Sequence, residues 1–264
     1  MKKFLVIGNP IEHSLSPTLH NYWFKQNNIE AEYEKKKLSE KDLKNIIIDI
    51  RNDKISGINV TVPFKKIIIP FLDKLTEEAA KTQSVNTIFK VDNQIHGHNT
   101  DSGGFARSLE QTKFKIKGKK VFMLGAGGVA SSIIFSLEAL GVSKIFVSNR
   151  TKQKAEELKK LFAKIEIVDW GKKPSEFDAV INTTSIGLNK GDKIELDFSD
   201  CKNKLFYDLI YNPPRTKFIE DAGKFRNNTQ NGLEMFIYQA QESFEIWHGF
   251  APEINKKIYT MLNK

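Results

Sequence analysis

Near the middle of the chain, Gly125-Ala126-Gly127-Gly128-Val129-Ala130 follows the apolar run Val121-Phe122-Met123-Leu124 and opens a helical pattern over 130–140. Strand, glycine turn and helix in that order, spaced G-x-G-x-x-A, suit a dinucleotide. Gly125 permits the tight turn, Gly127 lets the backbone approach a pyrophosphate, and small Ala130 lets the helix pack close on the strand. The helix start would offer its unpaired N–H groups and positive dipole end to the phosphates. The next apolar segment, 144–148, ends at Asn149-Arg150-Thr151. A site for NAD places an Asp or Glu there for the ribose hydroxyls; a guanidinium instead grips a 2′-phosphate, so the pattern predicts NADP(H). In the competing reading Arg150 is merely solvated and Thr151 only caps a helix over 152–162. With the glycine turn upstream, the cofactor reading is preferred.

Other polar groups are less decided by their own chemistry. Ser14 and Ser16 precede Pro17 at a helix start. One serine suffices as a cap, and two near a helix start would also hold a small carboxylate. Thr183 and Ser185, in the segment 182–187, and Tyr211 follow apolar strands, where ligands bind in a parallel sheet; plain loop chemistry is the alternative. Gln239 lies on an otherwise apolar helical segment, either as a satisfied core amide or as a ligand contact. His96 and His98 share a face of a strand without an evident third metal ligand, which favours a hairpin surface over a metal site.

The elements that position these groups alternate. Strands are predicted at 3–8, 31–36 and 57–62, with helices at 17–24 and 40–51 and a shorter helix ending at Phe71. A hairpin over 85–98 turns at Asp92-Asn93. The polar stretch Asn99-Thr100-Asp101-Ser102-Gly103-Gly104 reads as a junction, followed by a helix from Phe105 and then by strands at 121–124, 144–148, 165–168, 178–182 and 205–210. A strongly apolar helix over 232–247 and a closing helix at 254–262 would pack back on the first domain. The fold class is therefore α/β, with two α/β domains and a central cleft: residues 1–101, completed by 233–264, and a Rossmann-type domain over 102–232. Hinges are expected near 102–104 and Gly232.

Composition narrows the function classes. The 264 residues are 40% hydrophobic, enough for packed cores, and the single cysteine, Cys201, excludes a disulfide framework. The apolar start 4–7 stops at Gly8-Asn9-Pro10, too short for a signal peptide, and no later segment reaches the ~20 apolar residues of a spanning helix. A cytoplasmic protein without membrane or nucleic-acid partners is expected. The net charge of +9 comes from scattered lysine groups rather than one basic stripe, and its field suits anionic small molecules.

Along nearly its whole length the chain resembles the shikimate dehydrogenase family. The resemblance is carried by Ser14-Leu15-Ser16-Pro17 with His20-Asn21, Asn59-Val60-Thr61-Val62-Pro63-Phe64-Lys65, Val85-Asn86-Thr87, Asn99-Thr100-Asp101, the glycine turn, Asn149-Arg150-Thr151, and Asn231-Gly232-Leu233 with Gln239. It implies a two-domain enzyme that reduces 3-dehydroshikimate to shikimate with NADPH, on the route to chorismate and the aromatic amino acids. It further implies that Ser14 and Ser16, with Tyr211 nearby, bind the substrate carboxylate, and that Thr61, Lys65, Asn86, Asp101 and Gln239 hold the ring hydroxyls and the reacting carbonyl. Lys65 would be the proton donor and Asp101 its partner. Gly232 would join 125–130, Asn149, Arg150, Thr151, Thr183 and Ser185 at the cofactor. The chain departs from the family pattern at Thr82-Gln83-Ser84, where Ile-Gly-Ala is commoner, and at Ser102, where glycine is usual. Two alternatives accompany this reading: a quinate/shikimate dehydrogenase paralogue of broader specificity, and a noncatalytic NADP(H)-binding sensor. The resemblance is compatible with a monomer or a homodimer.

Overall fold

The computed structural model describes residues 1–263 and divides them into two compact units, Met1–Gly104 with the segment from Ile237 on, and Phe105–Phe236. In the first unit β1 (Lys2–Gly8), α1 (Ser16–Gln26), β2 (Ala31–Lys37), α2 (Leu43–Arg51) and β3 (Gly57–Val60) alternate. They are followed by α3 (Phe64–Ile67), β4 (Lys74–Leu75), α4 (Glu77–Thr82), β5 (Thr87–Val91), β6 (Gln94–His98) and the start of α5 (Thr100–Glu110). The sheet order is β2-β1-β3-β5-β6-β4. β1 is parallel to β2 and β3, while β5 runs antiparallel to β3 and β6. That reversal puts the ends of β1, β3 and β6 and the beginning of β5 on one sheet edge. Asp92 and Asn93 take left-handed φ values of 48° and 61°, as the two-residue hairpin turn requires.

The second unit contains β7 (Lys120–Leu124), α6 (Ala130–Ala139), β8 (Lys144–Ser148), α7 (Lys152–Leu161), β9 (Ile165–Ile167), β10 (Ala179–Asn182), β11 (Leu205–Asp208), α8 (Lys217–Lys224) and β12 (Asn228–Gln230). Its six strands are all parallel in the order β12-β11-β10-β7-β8-β9. Val121 and Met123 of β7 face one apolar cluster, and Phe122 and Leu124 the other. Both faces of the sheet are covered at its centre, which is why the inner strands β7, β8, β10 and β11 read as largely apolar runs. Helix α9 (Leu233–His248) begins in this unit and continues into the first, followed there by α10 (Lys256–Leu262). Trp247 of α9 sits against Gly57 of β3 and donates from Nε1 to the Ile88 carbonyl at 3.1 Å.

Several local differences from the sequence reading have physical causes. The helix expected from Phe105 begins inside the polar stretch 99–104: Asn99 Oδ1 accepts the Ser102 N–H at 3.2 Å, and α5 runs on from Thr100. Strand β3 stops at Val60 and β11 at Asp208, two residues short of the apolar runs. Elements β4, α4, α8 and β12 are additional; α4 is announced by Thr76, whose hydroxyl accepts the Ala79 N–H at 3.4 Å. No helix of the described residues is long and apolar enough to cross a membrane.

Candidate active site

The shared sheet edge of the first unit gathers the chemistry. Asn86 precedes β5 and its N–H donates to the His98 carbonyl at 3.0 Å, while Val60 N–H donates to the Asn86 carbonyl at 2.8 Å. Thr61 follows β3, Lys65 lies on α3, and Asp101 on the first turn of α5. Lys65 Nζ stands 2.5 Å from Asp101 Oδ2, with the two side chains only 11% and 8% exposed. The carboxylate of Asp101 is thus used by a cation rather than as a helix cap, a role that Asn99 fills. A buried pair of this kind is sustained by further hydrogen bonds. Asn86 Nδ2 supplies one to Asp101 Oδ1 at 3.1 Å and lies 3.5 Å from Gln239 Oε1. The Thr100 N–H fixes the amide by donating to Asn86 Oδ1 at 2.8 Å.

Behind Asn86 is a buried polar network that the sequence reading missed. Asn59 Nδ2 donates to the Asn86 carbonyl, Thr87 Oγ1 and Ser243 Oγ at 3.0, 3.1 and 3.0 Å, and its Oδ1 accepts the Tyr33 hydroxyl at 2.7 Å. Burial pushes the Tyr33 phenol up, and its hydrogen bond to Ser16 opposes this. Ser16 is the first residue of α1 and Leu15 occupies the cap position without a side-chain bond; Ser14 Oγ accepts the Ser16 N–H at 3.3 Å. Ser16 therefore does not cap the helix, whereas Ser14 serves its first N–H from one residue outside the cap position. His98 is no hairpin-surface residue: its ring bonds Thr76 Oγ1 at 2.8 Å and Glu242 Oε1 of α9 at 3.1 Å.

In the second unit the glycine turn joins β7 to α6. Gly125 has φ +106°, and a Cβ there would meet Thr183 Oγ1 at 2.5 Å. The Thr183 hydroxyl donates to the Leu124 carbonyl at 2.9 Å and so braces this turn. Asn149 Oδ1 accepts the Ala126 N–H at 3.0 Å, and its Nδ2 donates to the Thr151 carbonyl at 2.8 Å. Gly127 and Gly128 are exposed, with nothing within 4 Å of where a Cβ would be, and α6 starts after Val129 without a side-chain cap. Ala130 is fully buried against the sheet. Arg150 is exposed without a carboxylate partner among the described residues. An exposed glycine turn at a helix start, and after β8 a guanidinium without a carboxylate partner among the described residues, fit a dinucleotide with a 2′-phosphate. Ser185 is exposed after β10. Tyr211 stacks on Phe236 at 4.6 Å, and burial pushes its phenol up to about 12. Gly232 lies against the Leu209 backbone, where a Cβ would come 2.0 Å from the carbonyl oxygen.

Three family models match in succession: the shikimate dehydrogenase substrate binding domain over residues 6–88, shikimate/quinate 5-dehydrogenase over 108–209, and the shikimate 5′-dehydrogenase C-terminal domain over 232–256. A shikimate dehydrogenase (NADP+) of Pelagibacter ubique is 54% identical over 99% of both chains. The chain belongs to the shikimate dehydrogenase family. Among solved members of this family, shikimate 5-dehydrogenase from Thermus thermophilus in complex with NADP(H) and shikimate aligns with a TM-score of 0.89 and 30% identity, covering 99% of this chain and 97% of that one. The Listeria monocytogenes enzyme in complex with shikimate and NAD aligns at 0.91 and 30%, covering 99% and 96%. Against the shikimate dehydrogenase pattern, the two departures have local explanations. Gln83 ends α4 at φ 50°, a left-handed conformation that accounts for the commoner glycine. Ser102 is buried, with its hydroxyl donating to the Asn99 carbonyl at 3.2 Å.

Proposed function

We infer that this protein is an NADP-dependent shikimate dehydrogenase, an oxidoreductase acting on a CH–OH group that interconverts 3-dehydroshikimate and shikimate on the route to chorismate. The observation that carries this reading is the buried Lys65–Asp101 pair, flanked by Asn86 and Gln239 at one sheet edge. Ser14 and Ser16 receive the substrate carboxylate, with Tyr211 as a further contact, and Thr61, Asn86 and Gln239 hold the ring hydroxyls. When bound, the nicotinamide supplies the hydride for the ketone carbon. As the carbonyl oxygen gains negative charge, the Lys65 ammonium stabilises it and passes it a proton, which Lys65 regains from water. Asp101 keeps the ammonium aimed and charged, and Asn86 in turn steadies Asp101. The glycine turn 125–130, with Asn149, Thr151, Thr183, Ser185 and Gly232, would hold the cofactor, and Arg150 would pair with its 2′-phosphate. The protein works in the cytoplasm on a small-molecule substrate.

The test is absorbance-monitored reduction of NADP+ and of NAD+ by the purified protein, with shikimate or quinate as donor. Turnover with shikimate and NADP+ alone is expected. Comparable use of quinate or NAD+ would move the chain to the broader paralogue, and no turnover despite NADP+ binding would make it a sensor.

A further inference from the structure

Asp208 ends β11 fully buried, and no cation among the described residues pairs with it. Three donors from separate places meet its carboxylate: Asn182 Nδ2 at the end of β10 (3.0 Å), the Ile210 N–H (3.1 Å), and the Thr216 hydroxyl before α8 (2.5 Å). An ionised group buried without a countercharge is costly, and burial pushes this carboxyl up to about 6. The arrangement organises two loops. Asn182 Oδ1 accepts the Thr184 N–H and hydroxyl at 3.0 and 2.7 Å, Thr184 Oγ1 accepts the Ile186 N–H at 3.1 Å, and Asn182 Nδ2 reaches back to the Ile186 carbonyl at 3.1 Å. The loop 183–187 is therefore wound around Asn182, which Asp208 orients. On the other side Ile210 and Thr216 tie down 209–216, the loop that carries Tyr211.

In a doubly wound sheet the dinucleotide lies across the strand ends where the order reverses. That point is between β7 and β10 here, with β8 and Arg150 on one side and β10 and β11 on the other. Arg150 marks the adenosine side, so the loops after β10 and β11 belong to the nicotinamide side. We propose that Asp208 is a positioning residue for the nicotinamide half of the cofactor, fixing the loops 183–187 and 209–216 through Asn182 and Thr216. This rests on the reading of the second unit as an NADP site.

Asp208→Asn turns one acceptor oxygen into a donor among three donors, and Thr216→Val removes one donor while leaving the carboxylate. Calorimetric titration of each full-length variant with NADP+, NAD+ and the fragment adenosine 2′,5′-bisphosphate separates the two halves of the site. NADP+ and NAD+ should each weaken about tenfold in Asp208→Asn, the effect of losing one buried hydrogen bond. Thr216→Val should follow in the same direction, and the fragment should bind as tightly as before. Equal weakening of NADP+ and the fragment, or unchanged NADP+ affinity in both variants, overturns the proposal and leaves the cofactor site standing. Arg150→Ala is the control: if it alters neither NADP+ nor fragment binding, the site itself is refuted, and the proposal with it.

Discussion

The core of the first unit holds a histidine that makes the protein sensitive to acid. His20 is fully buried, stacked on Tyr33 at 4.3 Å and 4°, edge-on to Trp23, and neither ring nitrogen has a hydrogen-bond partner. Burial, aided by the charge of His248, holds its pKa down to about 3 from 6.5. Between those values the unfolded chain binds a proton that the folded chain refuses, so the stability is complete above about 6.5 and is lost as the pH falls toward 3. At pH 5 the unfolded state is favoured by a factor of about 30, or ~2 kcal/mol, a sizeable part of a total of about 5–15 kcal/mol. His248, held down to about 4, acts with the same sign. Asp208, raised from 3.8 to about 6, acts oppositely, because its folded form keeps a proton that the unfolded form has released in that window. His20→Leu conserves volume and isolates the first contribution. Urea unfolding followed by tryptophan fluorescence at pH 7.5 and 5.0 should show the drop in stability shrinking by ~2 kcal/mol in the variant. Identical drops in variant and parent would refute the reasoning.

Lys65→Met and Asp101→Asn should each lower kcat by roughly 10²–10⁴. Each single change leaves a buried charge unpaired, at a cost of about 3–5 kcal/mol, so urea midpoints should show the double variant less destabilised than the two singles added. Arg150→Ala should raise the KM for NADP+ far more than that for NAD+; equal effects would exclude 2′-phosphate recognition. Gly232→Ala forces a methyl group onto the Leu209 carbonyl, and a melting experiment should register the loss of about 1–3 kcal/mol.

Much of the second unit was legible because its inner strands β7, β8, β10 and β11 are largely apolar runs, whereas the polar, exposed β12 gave no such signal. The glycine turn announced itself by its spacing together with the apolar run before it and the helical pattern after it. What escaped were polar residues inside apolar runs: Asn59 between Ile58 and Val60, and Asp208 between Tyr207 and Leu209. A run of that kind reads as strand whatever one polar member does, and only the tertiary fold shows that Asn59 meets Ser243 from a helix 184 positions away. Ser243 gave no signal of its own. Gln239 did, as an amide on an apolar face. The helix expected from Phe105 starts at Thr100, because the polar residues that make a junction also start a helix.

Helix α9 bears on the order in which the units are completed during synthesis. It carries Gln239, Ser243 and Trp247 into the first unit, while the second unit is one contiguous stretch from Phe105 to Phe236. The stretch up to Gly104 leaves the ribosome first, but without Ser243 its Asn59–Thr87 network is unfinished. At about 5–20 residues per second, roughly ten seconds pass before α9 is made. Through that interval the stretch translated ahead of the second unit stays incomplete, and it closes only once α9 has been made.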